Sequence, residues 1–441
     1  MSIGSAPGPA SAGAARPVAG RSSYVILHNT SEVVTADAEG RGIVHHPRGA
    51  VVFRDGRVLE IGSAPELSRR HVDARPINAG GRLVTPGLVD CHTHMIFAGH
   101  RAAEFQRRLR GEDYAAIAAT GPSGAGGGGI RSTVAATAAA REDTLERLLA
   151  ARLERWRAAG CTTIEVKSGY GLQPAHEIRL LEIIRGAAQR VPVRVERTAL
   201  LLHALPVEVG HARAAYLDTL VERTLPEIRS AGLASAVDAF CEGIAFSVDE
   251  CRRLLVRARE LGFAVKLHAD QLTRGGGARL AAELGALSAD HLECANEEDW
   301  GMLARAGVVG VLLPAAALTL GQRLPHASLL RRSGARVAIA TDFNPGTAPA
   351  QSLLECGALA ARLCGFDAEE TLMALTWNAA KALGVEAEAG HLNPGAAGDA
   401  VVWECETLDE LPYWMPAVRP DTVFVRGADL ALPALERRVW P

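Results

Sequence analysis

The chain has 441 residues, 48% hydrophobic and 22% charged, a balance that excludes a wholly disordered chain and suffices for a large core. Its 47 basic and 50 acidic residues nearly cancel, and no run of Lys or Arg forms a stripe, which argues against nucleic-acid and membrane-surface partners. No stretch of about 18 apolar residues reads as a membrane span; eight scattered cysteines with no Cys-x-x-Cys pair, behind a start with no compact apolar block, predict a cytoplasmic protein.

Residues 1–22, rich in Ala, Gly, Pro and Ser, read as a flexible tail. Residues 23–84 hold short β-rich runs, including a hairpin: Val51 to Phe53, a turn at Asp55-Gly56, then Val58 to Ile61. After Pro86 apolar runs alternate with amphipathic stretches, the pattern of βα units on a parallel sheet. Eight such runs predict strands at Gly87–Asp90, Cys161–Val166, Val193–Leu202, Ala236–Cys241, Ala264–Leu267, Leu287–Ala289, Val308–Leu313 and Arg336–Ala340. Leu145, Leu148, Leu149, Leu153 and Trp156 follow helical spacing, and Ser247 with Glu250 forms a capping box. From residue 395 the β texture returns, at Ala400–Trp403 and Thr422–Val425. The expected fold is therefore α/β: a TIM-like (β/α)8 barrel over 85–394, beside a small β-sandwich domain composed of 23–84 and 395–441. No dinucleotide-binding glycine fingerprint supports an open sheet instead.

Barrel enzymes carry their catalytic groups just past the C-terminal ends of the strands. The first strand runs into Asp90-Cys91-His92-Thr93-His94, where extended backbone turns both histidines to one face, about 7 Å apart. With 14 histidines, roughly 0.4 such pairs arise by chance, so position at a strand end is what makes the pair informative. The fifth strand ends at His268-Ala-Asp-Gln271, the sixth at Asp290-His291 and the eighth at Asp342-Phe-Asn344. Singly, each could be a helix cap or a hydrogen-bonded rim residue. Together they offer three histidines and an aspartate, a ligand set suited to zinc or iron with room for a water.

These motifs resemble the amidohydrolase superfamily, and longer stretches resemble its imidazolonepropionase family. They are Pro86-Gly-Leu-Val-Asp-Cys-His-Thr-His94, Phe97-Ala-Gly-His-Arg101, Gly127-Gly-Gly-Ile-Arg-Ser-Thr133, Glu165-Val-Lys-Ser-Gly-Tyr-Gly171, Phe240-Cys-Glu-Gly243, His268-Ala-Asp-Gln271 and Asp342-Phe-Asn-Pro-Gly-Thr347. The resemblance implies hydrolysis of a cyclic amide C–N bond, opening 4-imidazolone-5-propanoate to N-formimidoyl-L-glutamate in histidine degradation. It implies one Zn²⁺ or Fe³⁺ per chain on His92, His94, His268 and Asp342, and a homodimer. It implies a substrate site lined by Arg101, Tyr170, His203, Gln271, Asn344, Gly346 and Thr347, and a catalytic set of Asp342, His291 and Gln271.

Elementary chemistry agrees with those roles. A metal makes hydroxide available near neutral pH, Asp342 can carry its proton to the leaving nitrogen, and a protonated His291 can steady the oxyanion. Arg101 offers a forked donor to the propionate. Gln271, where some members carry Glu, can bind but cannot relay a proton. Lys167 ends the second strand rather than the fourth, which predicts a single metal, and Cys91 faces away from the histidines. Leu200-Leu201-Leu202 before His203 departs from the family's small residues, and the loop 121–125 reads as an insertion. The competing readings are a metal-dependent deaminase on the same ligands and an inactive scaffold that has kept the fold; the first usually wants an acid at position 271.

Overall fold

A computed structural model of the chain describes residues 24–112 and 128–430. The tail 1–22 and the loop 121–125 lie outside the described residues.

The N-terminal segment forms β1 (Tyr24–Ala36), β2 (Ile43–Pro47), β3 (Gly49–Arg54), β4 (Arg57–Ser63) and β5 (Arg75–Pro86). The hairpin between β3 and β4 pairs Arg54 with Arg57 across Asp55 and Gly56. Both turn residues take positive φ, 52° and 81°, the geometry a two-residue hairpin demands. Alternation then sorts the side chains of β1. Val25 and Leu27 enter one apolar cluster with Phe53 and Phe424, while Ile26 enters another with Val52 and Leu67 of the helix Ala64–Arg70.

The barrel strands are β6 (Leu88–Asp90), β7 (Cys161–Lys167), β8 (Arg194–Leu202), β9 (Ala236–Cys241), β10 (Ala264–Ala269), β11 (Ser288–His291), β12 (Val309–Leu312) and β13 (Val337–Ile339). All eight fall on the apolar runs read from the sequence, and each pairs in parallel with the next. The ring is drawn shut beyond β6 and β13. A parallel bridge joins Thr93 to Phe343, His94 N–H donates to Phe343 O (3.0 Å), and Asp342 N–H donates to His92 O (3.0 Å). Asp90 adds a side-chain latch: it accepts from Thr341 N–H (3.1 Å), Thr341 Oγ1 (2.7 Å) and Trp156 Nε1 (2.7 Å). Trp156 belongs to the helix Glu142–Ala158, whose buried face is Leu145, Leu148, Leu149, Leu153 and Trp156.

The chain then returns to the first sheet as β14 (Ala400–Trp403), β15 (Pro420–Val425) and β16 (Ala428–Leu430). That sheet is a mixed one of eight strands, ordered β16-β15-β14-β5-β1-β3-β4 with β2 on β1. β14 pairs antiparallel with β5, and Trp403 Nε1 donates to Thr85 Oγ1 at 2.8 Å. The two chain ends are thereby tied together beside the barrel. Among the described residues, no helix is long and apolar enough to cross a membrane.

Candidate metal centre and active site

Three strand ends, those of β6, β10 and β13, meet at the mouth of the barrel. His92 Nε2 and His268 Nε2 each lie 3.3 Å from His94 Nε2. Asp342 Oδ1 lies 3.5 Å from His92 Nε2 and 3.3 Å from His94 Nε2. All four side chains are almost wholly buried. A tetrahedron with metal–ligand bonds of about 2.0 Å has edges of about 3.3 Å, so the spacing suits one ion. His92 Nδ1 is 2.6 Å from an Asp290 oxygen, to which it donates, leaving the Nε2 lone pair turned towards the Asp342 carboxylate. Acceptors brought this close repel one another unless a cation lies between them. The donor set therefore fits a metal: His92, His94 and His268 could hold an ion together, with Asp342 Oδ1 within 3.5 Å of two of them. The structure brings together the four sequence-expected ligands.

Asp342 and His291 both adopt left-handed backbone, φ 52° and 82°, an uncommon conformation for residues with side chains and one that concentrates at functional sites. A ring nitrogen of His291 lies within 4.8 Å of ligand atoms of both His92 and Asp342, and its Nδ1 is 3.4 Å from Glu293 Oε1.

The remaining expected residues stand on the segments that follow five strands, β6, β7, β8, β10 and β13. His203 donates Nδ1–H to Gly169 O (2.8 Å) and stacks on His94 with ring centroids 5.2 Å apart. Burial pushes its pKa down to about 3, so its ring is neutral. The preceding Leu200–Leu202 are buried in β8, where the pairing with β9 shifts register. Tyr170 is buried 5.4 Å from His203 and 6.0 Å from His94, ring to ring. Its loop is pinned by Glu177, which accepts from the N–H groups of Gly169 (2.7 Å), Gly171 (2.7 Å) and Leu172 (2.6 Å).

Asn344 is occupied within its own loop. Its amide donates to Asp342 O (2.7 Å) and accepts from the N–H groups of Gly346 and Thr347 (2.8 Å each), so it holds the turn that shapes Asp342 and Thr347. Gly346 makes room for Arg101: a Cβ on Gly346 would fall 1.1 Å from Arg101 Nη2. Arg101 is 8% exposed, and its Nε has no hydrogen-bond partner among the described residues. Nor does any described carboxylate lie within ion-pair distance of it. A buried guanidinium in that state has a donor left over for an anion.

Gln271 takes its place from its backbone, whose carbonyl accepts from Gln322 Nε2 (2.6 Å), and from Glu242, which binds the N–H groups of Leu272 (2.9 Å) and Thr273 (3.1 Å). Sequence reasoning assigns no role at the centre to Glu242, Glu177 or the charged residues beneath the histidines, although it reads Asp290 at a strand end and weighs Lys167 as a metal bridge before setting it aside: Glu165, Lys167, Asp238, Lys266 and Asp290 are all fully buried. The available signal was a charged residue inside an otherwise apolar barrel strand, as at Glu165-Val166-Lys167 and Val237-Asp238-Ala239. Lys167 does end β7, as expected from the sequence, and its ammonium is 2.8 Å from both Glu165 and Asp238.

A closed barrel with this ligand set at its C-terminal mouth defines a hydrolase of the amidohydrolase type, and the Amidohydrolase family profile matches residues 83–428. The chain is 45% identical to imidazolonepropionase from Acidiphilium cryptum (strain JF-5), over 89% of this chain and 96% of that one. It is 43% identical to imidazolonepropionase from Erwinia tasmaniensis, covering 90% and 96% respectively. The chain belongs to the imidazolonepropionase family of hydrolases within the amidohydrolases. In fold it also resembles triazine hydrolase from Arthobacter aurescens, with a TM-score of 0.69 at 18% identity over 94% of this chain and 97% of that one.

Proposed function

We propose that the protein hydrolyses 4-imidazolone-5-propanoate to N-formimidoyl-L-glutamate in histidine degradation. Relatives at 43–45% identity support the reaction. The single structural observation that carries the substrate is Arg101, a buried guanidinium without an ion-pair partner among the described residues, notched into Gly346 beside the loop that bears Asp342. A free purine or pyrimidine base brings no carboxylate to that group, whereas the propionate does.

One cation per chain, Zn²⁺ or Fe³⁺, would sit on His92, His94, His268 and Asp342; when bound, it lowers the pKa of water towards about 7 and polarises a carbonyl. Arg101 takes the propionate in a forked pair of charge-assisted bonds, with Gly346 and Thr347 shaping the far wall. Tyr170, His203 and Gln271 bind the ring, His203 through the lone pair left on Nε2 by its bond to Gly169 O. Asp342 accepts a proton from the attacking water, whose oxygen adds to the lactam carbonyl carbon. His291 stabilises the oxygen that gains charge. The C–N bond breaks, Asp342 returns the proton to the departing nitrogen, and the linear formimidoyl product carries the new carboxylate.

The same reading assigns catalysis to a barrel unit spanning 85–394 and a supporting β unit to 23–84 with 395–441, beyond a tail at 1–22. It places the protein in the cytoplasm, supported by eight cysteines that all stand unpaired, and makes it a homodimer by family resemblance.

The test is Arg101→Met assayed on freshly generated substrate, with ammonia release followed in parallel. Removing the fork is expected to lower kcat/KM roughly 10- to 100-fold, mainly through KM, because a hydrogen bond to a charged group contributes about 1.5–3 kcal/mol. An unchanged KM, or ammonia release from a nucleobase by the parent, would contradict the assignment.

A further inference from the structure

The sequence contains only three lysines among its 47 basic residues, and two of them, Lys167 and Lys266, are fully buried directly beneath the histidine cluster. Everywhere else except Lys381 the chain uses arginine. A compact ammonium on a flexible stem suits a space that a planar guanidinium does not, so what the two contact is informative.

Lys167 Nζ reaches Glu165 Oε2 (2.8 Å), Asp238 Oδ2 (2.8 Å) and Asp290 Oδ2 (3.6 Å). Lys266 Nζ reaches Glu165 Oε1 (3.1 Å) and Asp290 Oδ2 (3.8 Å), and donates to Cys91 O (2.8 Å), the carbonyl immediately before His92. The two aspartates are the ones that touch ligand histidines. Asp290 Oδ2 takes the Nδ1–H of His92, and Asp238 Oδ2 lies 3.0 Å from His268 Nδ1, off the line of a well-formed bond. Glu165 spans both ammoniums and is itself held by Thr198 Oγ1 (2.6 Å). The network thus crosses β7, β9, β10 and β11 and ends on the outer nitrogens of two ligand rings.

Three buried carboxylates packed around two rings would repel one another and turn aside without cations among them. We infer that Lys167 and Lys266 are positioning residues of the metal centre: they hold Asp290 and Asp238 against His92 and His268, so that both rings present Nε2 to the ion. This rests on the reading that His92, His94, His268 and Asp342 bind a metal. Lys266 acts twice, through Asp290 on the ring and through Cys91 O on the backbone that carries it.

The experiment uses the full-length, metal-stripped protein and Zn²⁺ alone as probe, with affinity measured by competition against a chromophoric chelator. Two variants are compared with the parent: Lys167→Met, and the charge-balanced pair Lys266→Met with Glu165→Gln. Apo folding is followed by circular dichroism, and ring protonation by ¹⁵N NMR of the histidines. Outer-shell changes typically cost 10- to 100-fold in metal affinity, so Zn²⁺ binding is expected to weaken about tenfold or more while the charge-balanced variant stays folded. The His92 Nδ1–H signal is expected to broaden or vanish in that variant. A purely structural role would lower the apo melting temperature and leave affinity and ring protonation as in the parent; that result overturns the proposal. Unfolding of both apo variants overturns it too. Failure of the parent to take up Zn²⁺ contradicts the metal site itself, and the proposal with it.

Discussion

Arg101 and Gly346 illustrate how a site is shared between a side chain and the lack of one. Gly346 does not need its backbone freedom, since its φ is not positive; it needs the space that Arg101 Nη2 fills. Gly346→Ala should therefore leave the fold intact and displace the guanidinium. The expected result is a KM increase of about tenfold or more with kcat changed much less, the loss of part of a bond worth about 1.5–3 kcal/mol to a charged group. Steady-state kinetics with an unaltered KM would contradict the packing described. The four residues proposed as ligands could be picked out of the sequence because chemistry restricts such groups to a few residue types, here His and Asp at strand ends. Glu165, Lys167, Asp238, Lys266 and Asp290 were not assigned to the site in advance, because a buried charge declares itself but not its partner, and these partners lie on four different strands.

At the scale of elements, local signals translated directly. The capping box at Ser247 and Glu250 opens the helix Val248–Glu260, and its acid does a second job by pairing with Arg213. The Arg213 guanidinium, more than the cap, pulls the Glu250 carboxyl down to about 2 from its ordinary value of 4.5. A depressed carboxylate stabilises the fold above its unfolded pKa, and that contribution fades as pH falls through the folded value. The stability difference between parent and Glu250→Gln should therefore be greatest near neutral pH and shrink between about pH 4.5 and 2. Its size is about 1 kcal/mol once solvent screening of this partly exposed pair is allowed for. Chemical denaturation of both proteins at several pH values checks this, and a difference independent of pH would contradict it. The hairpin at Asp55-Gly56 and the eight barrel strands were equally readable, since turn chemistry and apolar runs are local. The pairing of β1 with β5 in parallel, and of β5 with β14 more than 300 residues away, was not. Register between distant strands leaves no trace in either segment taken alone.

Across the whole molecule, the barrel gathers ligands that stand 250 positions apart from His92 to Asp342 and closes its first strand on its last at the same place. Closure and the proposed metal site thus share the segments 90–94 and 341–347: the hydrogen bonds His94 N to Phe343 O and Asp342 N to His92 O join the backbones of the proposed ligands. The mixed sheet fastens both chain ends beneath this seam through Trp403 and Thr85. The proposal that one ion on these four side chains supports hydrolysis is checked by a metal titration of the stripped protein. Turnover of freshly generated 4-imidazolone-5-propanoate should rise linearly with added metal and break at one equivalent per chain, while His268→Ala shows no such rise. Full activity without metal, or a break at two equivalents, would contradict it.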